Sequence, residues 1–256
     1  MAFSITSHPA HVGLKVSADP VQTPTFLQGS KGESKRTLQP ITTGTSVLGV
    51  KFDGGVALAG DMLGSYGSLA RYPGVSRLIQ VDDKTVVFAS GDYADYQYLK
   101  EELQRMSIEN DIEDDGHSYS SKSIFAYLRL LMYYRRNKFN PIWNTLAVGG
   151  YSNGKPFLGY VDKIGSAYEE NAIATGYGAY IARPLIEKAI EEKGGKLTKI
   201  EAVKVLIECL KILYYRDARS INKFEIAVIT EEGVNIESNM TADTNWEIAH
   251  YVKGYE

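Results

Sequence analysis

Alternating apolar and polar positions divide the chain after about residue 40 into strand-like and helix-like stretches. Two strand-like runs, Thr45–Lys51 and Val56–Ala59, flank the turn sequence Asp53-Gly54-Gly55 and predict a hairpin. A second pair of strands is predicted at Leu78–Val81 and Thr85–Ala89. The pattern therefore indicates a domain that opens with β-structure.

Two helices are predicted next. The first runs from Asp92 to Met106 and places its large apolar side chains on one side. An acidic loop at Glu109–Asp115 is expected to separate it from a second helix, Ser120–Lys138. This second helix should end before Asn140-Pro141, because the residue preceding a proline is disfavoured in the helical region.

The second half of the chain repeats this order. Strand-like runs at 145–151 and 157–162 precede a helix that begins near Gly178 and ends at Gly194-Gly195. The next helix has a capping-box pattern, Thr198 with Glu201. A last hairpin is predicted at 223–230 and 234–237. The predicted apolar face of the fourth helix comprises Ile200, Val203, Leu206, Leu210 and Leu213.

The predicted order is strands, two helices, strands, two helices, strands. Because strand runs and helix runs are segregated, the pattern favours an α+β fold over a parallel βαβ sheet. Two antiparallel sheets stacked face to face, each covered by a helix pair, would bury every predicted apolar face. The first 40 residues differ: they hold four of the eight prolines and show no periodicity, which indicates a flexible or removable leader.

Composition narrows the classes of function. The net charge of −3, with dispersed Lys and Arg, gives no basis for nucleic-acid binding, and no apolar run is long enough to cross a bilayer. One cysteine, Cys209, excludes an internal disulfide and fits a reducing compartment. The histidines lack metal-ligand spacing, so we expect neither a metal nor a cofactor: His8, His11, His117 and His250.

Short segments in matching order resemble mature proteasome β subunits. Gly44-Thr45-Ser46-Val47 leads to Asp61 at the end of the second strand, and further matches lie at 90–92, 174–178 and 215–220. The resemblance covers roughly residues 41–237 and implies an N-terminal-nucleophile hydrolase fold, a four-layer αββα sandwich. The segments at 43–47, 61–68 and 245–248 are most similar to one non-proteolytic branch of that family.

The resemblance also implies the residues of a threonine-protease site. Thr45 matches the nucleophile, Asp61 the carboxylate that orients a lysine, and Gly91 the oxyanion donor. Asp217 and Ser220 match the supporting carboxylate and hydroxyl. An enzyme of this type also needs a free α-amine on the threonine, released by cleavage of the preceding Gly-Thr bond.

Three positions depart from the active pattern. Arg77 stands where active subunits have a lysine, Tyr177 stands where they have a serine, and Ile221 replaces a glycine. The pKa of a guanidinium is about 12.5 or higher, so an arginine cannot exchange a proton near neutral pH as a tuned lysine can. Arg77 is expected to pair bidentately with Asp61, and Tyr177 to fill space that a substrate or water needs.

These departures predict an inactive pocket with structural residues. Asp61 and Arg77 are interpreted as a buried ion pair, Thr45 as a strand threonine, and Asp217 and Ser220 as residues that hold the turn after the fourth helix. Two alternatives remain: a catalytic threonine endopeptidase that uses Thr45, and a bacterial-type or amidohydrolase relative that acts alone.

The resemblance divides the chain into a removed leader, 1–36, a residual extension, 37–44, the β-subunit domain, 45–237, and a C-terminal tail, 238–256. An active neighbour is expected to cut before Thr37. The expected partners are β subunits of the same and opposite ring, α-ring subunits and assembly chaperones, in cytoplasm and nucleus. Four tail residues are expected to contact neighbouring subunits: Trp246, Ile248, Tyr251 and Tyr255.

Overall fold

The computed structural model describes residues 39–113 and 115–254; the predicted leader 1–36, Thr37 and Tyr255 lie outside the described residues. One sheet contains the strands β1 Thr42–Gly44, β4 Leu63–Tyr66, β5 Leu69–Pro73, β6 Leu78–Asp82, β7 Thr85–Asp92, β8 Asn144–Ser152, β9 Lys155–Val161 and β10 Ala167–Glu169. The other contains β2 Val47–Phe52, β3 Gly55–Asp61, β11 Ala172–Ala174, β12 Phe224–Thr230 and β13 Gly233–Met240. The helices are α1 Tyr93–Glu113, α2 Ser121–Asn137, α3 Gly178–Glu192 and α4 Lys199–Arg216.

The two antiparallel sheets stack face to face around a shared apolar core. Leu58 and Ile229 from the second sheet pack against Phe88 and Leu158 from the first, and all four are buried. Helices α3 and α4 cover the outer face of the second sheet, and α1 and α2 contact the first. The predicted α+β fold, a four-layer αββα sandwich, is confirmed.

Helix α4 begins as its sequence predicts and turns most of the predicted apolar face inward: Leu206, Leu210 and Leu213 are buried, and Val203 is partly buried. The Thr198 hydroxyl accepts the Glu201 N–H, and the Glu201 carboxylate accepts the Thr198 N–H, which completes the capping box. Ile200, expected on the apolar face, is 80% exposed, whereas Ala202 is buried. Residues two positions apart in a helix are separated by about 200° around its axis, so Ile200 and Ala202 cannot both face the sheet. The assignment of Ile200 to the core was therefore wrong.

Helix α1 is longer than its apolar pattern predicts. It continues to Glu113, so the expected acidic loop from Glu109 is largely helical. Arg105 supports this end, because it forms ion pairs with Glu102 and Glu109 one turn to either side. The last turns carry no buried residue, which explains why the periodicity of apolar positions stops at Leu103.

The short strand β1 was not predicted, and it positions the candidate site. Thr43 is the register partner of Ser65 on β4 and of Asp92 on β7, so β1 lies between those two strands. Strand β6 pairs with the other end of the same edge of β7. Residues 74–77 connect β5 to β6. Arg77, the last of them, therefore lies between β1 and β6. Residues 42–44 of the predicted extension are a component of the sheet.

The end of the chain is attached to the body at two places. Strand β13 continues to Met240, beyond the expected end of the domain at Glu237. Asn222 and Ala242 then exchange two hydrogen bonds, of 2.8 and 3.0 Å. The Trp246 ring packs edge-on against the rings of Tyr214 and Tyr215. A 3₁₀-helix, Glu247–Tyr251, follows with exposed apolar side chains, Ile248 and Tyr251 among them.

Candidate active site

Arg77 lies at the centre of the candidate site and is almost completely buried, with 2% of its surface exposed. Its Nη2 is 2.6 Å from Oδ1 of Asp61, the residue that ends β3, so the ion pair joins the two sheets. Its other contacts are backbone carbonyls. Nη1 donates to Thr45 O and Ala89 O at 2.7 and 2.9 Å, Nη2 to Ser46 O and Asp61 O at 3.2 and 3.0 Å, and Nε to Asp61 O at 3.3 Å.

The surroundings of Arg77 leave no spare volume. A Cβ atom on Gly44 would lie 2.1 Å from the Arg77 Cδ, and one on Gly60 would lie 3.3 Å from its Nη2. The Phe88 ring centroid is 5.5 Å from the guanidinium carbon, within the range of a cation–π interaction. The guanidinium is therefore enclosed by β1, β3 and β7.

Asp61 divides its two carboxylate oxygens between two donors. Oδ1 accepts from Arg77, whereas Oδ2 accepts the backbone N–H of Ile221 at 3.2 Å. The expected bidentate pairing was therefore wrong: the turn after α4 takes one oxygen, and carbonyls take the remaining guanidinium donors. Burial raises the pKa of Asp61 to about 6 in spite of the opposing charge of Arg77. Neutral pH lies above this value, so the Asp61 carboxylate is mainly ionised there.

The hydroxyls of Thr45 and Ser220 donate to different acceptors. The Thr45 hydroxyl donates to Asp217 Oδ2 at 2.5 Å, and Asp217 Oδ1 accepts the Arg219 N–H at 2.9 Å. The Ser220 hydroxyl donates to the carbonyls of Leu213 and Asp217 at the end of α4. These contacts match the interpretation of Asp217 and Ser220 as residues that hold the turn after α4. Ser220 satisfies carbonyls that the helix end leaves open.

An open cavity of about 300 Å³ lies beside Thr45. Gly91, whose φ of 103° requires a glycine, borders it and is the register partner of Gly44. Tyr177 also borders the cavity, at the start of α3, and is 63% exposed. That its ring takes space needed by a substrate or a water stays a prediction. The remaining lining residues are Thr43, Gly44, Ser90, Thr145, Gly176 and Arg219.

Within residues 39–113 and 115–254, no group of three or more His, Cys, Asp or Glu side chains could hold a metal ion. In the same part of the chain, no helix is both long and apolar enough to cross a membrane. Burial raises the pKa of Cys209 to about 12, so this thiol stays protonated near neutral pH.

Comparison with known proteins identifies the family. Residues 41–229 match the family model described as Proteasome subunit. The chain belongs to the proteasome subunit family. It is 56% identical to proteasome subunit beta type-4 of Xenopus laevis, across 88% of this chain and 93% of that protein. It is 40% identical to beta type-4 of Arabidopsis thaliana (91% and 93%) and 42% identical to beta type-7 of Saccharomyces cerevisiae (86% and 86%).

The family resemblance and the β-type resemblance are therefore confirmed, including the likeness to the branch whose members are called beta-7 or beta type-4. The structure brings Thr45, Asp61, Arg77 and Asp217 into one network of contacts. Gly91 borders the same cavity, and Tyr177 lies at its rim. The catalytic or structural role of each remains a prediction.

Sequence reasoning missed two contributors to this site. The buried Glu225 carboxylate accepts the Arg77 N–H at 3.1 Å and the Ser76 hydroxyl at 2.9 Å, and burial raises its pKa. An acidic residue between Phe224 and Ile226 in an otherwise apolar strand was the available signal. Gly44 is the other contributor, and only the path of the Arg77 side chain reveals its steric role.

Replacing Asp61 by Asn tests the ion pair. The amide cannot neutralise the buried guanidinium, so Asp61→Asn should lower the free energy of unfolding of the full-length chain by about 3 kcal/mol at pH 7. Denaturant unfolding would measure it. Asp53→Asn is the matched control, because Asp53 forms an exposed ion pair with Lys196 and should contribute little. Equal effects of the two substitutions would contradict the interpretation.

Proposed function

We propose that this chain is a non-catalytic, structural subunit of the β ring of the 20S proteasome core. Its role is to complete the ring and support assembly of the particle that carries out ubiquitin- and ATP-dependent protein degradation. The observation that carries the proposal is Arg77: a buried guanidinium occupies the position of the lysine in active subunits and is bound to carbonyls and to Asp61.

The chemistry supports this role. A threonine nucleophile needs a group that accepts and returns its proton, and a guanidinium stays protonated near neutral pH. The Thr45 hydroxyl donates to Asp217. Loss of general acid–base catalysis alone reduces a rate by a factor of about 10² to 10⁴. If the Gly44-Thr45 bond stays uncut in the mature chain, as proposed, Thr45 also has no α-amine.

One observation favours the catalytic alternative, in which Thr45 acts as an endopeptidase nucleophile. The 2.5 Å contact with Asp217 places a carboxylate beside the hydroxyl, and an open cavity lies next to it. A carboxylate in that place, however, accepts a hydrogen bond in any structural role as well. Without the lysine, the structural interpretation explains more of the site. The arrangement also argues against an amidohydrolase that acts alone, since that enzyme needs a complete site.

The remaining proposals concern processing of the leader, the partner subunits and the location of the particle. An active neighbouring subunit removes the leader by cutting before Thr37, and residues 37–44 stay attached. The partners are β subunits of the same and the opposite ring and α-ring subunits, with assembly chaperones during maturation. The particle is proposed to work in cytoplasm and nucleus.

The tail is proposed to contact neighbouring subunits. Its attachment is polar and aromatic, through Asn222 and through Trp246 on the Tyr214 and Tyr215 rings. Beyond that attachment, Ile248, Tyr251 and Val252 are 72%, 83% and 67% exposed. Tyrosine and tryptophan side chains, here Tyr251 and Trp246, are enriched where chains bind partners. The tail is thus held in place while its apolar side chains stay available.

Covalent labelling tests the proposed function. An electrophilic probe for catalytic threonines, applied to purified particles, should modify the active subunits and leave Thr45 unmodified, because Arg77 replaces the lysine that takes part in proton transfer in active subunits. Peptide mass spectrometry would locate adducts, and the labelled active subunits serve as the internal positive control. Thr45→Ala should leave the peptidase activities of the particle unchanged. An adduct on Thr45 would overturn the proposal.

Truncation tests the tail. Removing residues 244–256 preserves the Asn222–Ala242 hydrogen bonds, so the subunit should fold and enter half-particles that then join poorly. Native gels would show accumulated half-particles. Trp246→Ala should reproduce part of the defect, whereas His250→Ala, in the same 3₁₀-helix, is the control and should not. Normal joining of the truncated chain would contradict the assignment.

A further inference from the structure

Gly44 and Arg77 fit together sterically in a way that the ion pair does not explain. The Arg77 side chain passes over the Cα of Gly44, where a Cβ would approach its Cδ to 2.1 Å and its Nε to 2.7 Å. The guanidinium cannot move aside easily, since it is buried and has contacts to Asp61 and to backbone carbonyls on two sides. Position 44 therefore accommodates glycine alone while Arg77 keeps its place.

Arg77 also holds the segment directly after β1. It donates to the carbonyls of Thr45 and Ser46 and, on the opposite side, to Ala89 of β7. Strand β1 itself pairs with β7 through Gly44 and Gly91 and with β4 through Thr42 and Tyr66. With only three residues, β1 has few ladder hydrogen bonds of its own. Arg77 anchors the residues that follow this short strand, and its contact with the strand itself is the packing of its side chain against Gly44.

We propose that the lack of a side chain on Gly44 makes room for the Arg77 side chain, and that Arg77 in turn holds β1 in the sheet. Strand β1 then acts as an autoinhibitory strand supplied by the same chain. The inference rests on the proposed non-catalytic role, in which the Gly44-Thr45 bond stays closed. In this arrangement β1 occupies the sheet position beside Gly91, at the edge of the cavity next to Thr45. The extension is thus a permanent structural element, and the glycine before Thr45 is needed for packing.

The number of donors explains why arginine suits this task. A guanidinium has five N–H groups in a plane, whereas a lysine ammonium has three donors on one atom. Here the donors reach the carbonyls of Thr45, Ser46, Asp61 and Ala89 as well as the Asp61 carboxylate. One nitrogen atom cannot lie within hydrogen-bond distance of acceptors so widely spread. Arg77→Lys should therefore keep the charge and loosen β1.

Hydrogen exchange on purified particles tests the proposal. In the unmodified chain, the amides of residues 42–45 should be protected to an extent similar to those of β7. Gly44→Ala should speed their exchange by about tenfold or more, because overpacking displaces Arg77 and frees the strand. Gly64→Ala is the control on the adjacent strand β4: its Cβ would lie 3.3 Å from the Tyr72 Cβ and 3.5 Å from the Thr42 Cγ2, a milder crowding that should change exchange much less than Gly44→Ala does.

A double-mutant comparison isolates the steric fit. Arg77→Ala with Asp61→Asn removes both the obstructing side chain and its charge partner. Adding Gly44→Ala to that background should change the exchange of residues 42–45 much less than it does in the unmodified chain. Equal changes in both backgrounds would overturn the proposal, because Gly44 would then be needed for a reason unrelated to Arg77.

The proposal stays testable if a variant fails to enter particles. Failure of Gly44→Ala together with incorporation of the triple variant would support the fit, and failure of both would contradict it. Exchange of residues 42–45 in the unmodified chain as fast as in the exposed loop at 115–119 would also overturn it. Labelling of Thr45 tests only whether the subunit is non-catalytic, and hydrogen exchange tests only how β1 is held. The proposed function and this inference can therefore fail separately.

Discussion

The structure of this site follows from one constraint: a guanidinium buried between two sheets must have its charge and its donors satisfied. Desolvating a charge costs several kcal/mol, and only a close counter-charge with well-placed hydrogen bonds offsets that cost. Asp61 provides the charge, and backbone carbonyls around Arg77 provide the acceptors. The small residue at position 44 and the passage of the chain through β1 are consequences of the same requirement.

The constraint also links packing to function. In the family pattern, a lysine at this position serves proton transfer, and the preceding strand must be released to expose the threonine amine. Here the side chain that replaces it binds the carbonyls of Thr45 and Ser46, directly after β1, and packs against Gly44. The proposed non-catalytic role rests on this one substitution, which puts a guanidinium in place of a lysine that can exchange a proton. The chain keeps the αββα fold of the family, and its tail carries exposed apolar side chains, Ile248 and Tyr251.

Much of the fold could be predicted from the sequence, because local signals agree with the tertiary structure. The turn at Asp53-Gly54-Gly55 and the capping box of Thr198 each specify an element that the structure contains. Strand β1 could not be predicted, since three residues carry no period and its position depends on strands distant in the chain. For the same reason Ile200 was misplaced: a helix start shows its apolar residues but not the direction of the sheet.

The candidate site was predictable in its membership and less so in its geometry. Sequence identified Thr45, Asp61, Arg77 and Asp217, which lie in one network. It did not identify that one oxygen of Asp61 would bind the turn after α4, nor that Tyr177 would be 63% exposed. These details depend on backbone groups from several elements, and a one-dimensional pattern of residue types contains no information on where backbone carbonyls converge.

Identifying the N-terminal residue of the mature chain tests most directly whether Arg77 keeps the extension strand β1 in the sheet. Intact mass and N-terminal sequencing of this subunit from purified, assembled particles would determine it. A chain that begins at Thr37, or at any residue that leaves β1 attached, is the predicted result. A chain that begins at Thr45 would mean that the bond has been cut and the amine exposed, which would contradict the inactive, strand-bound site.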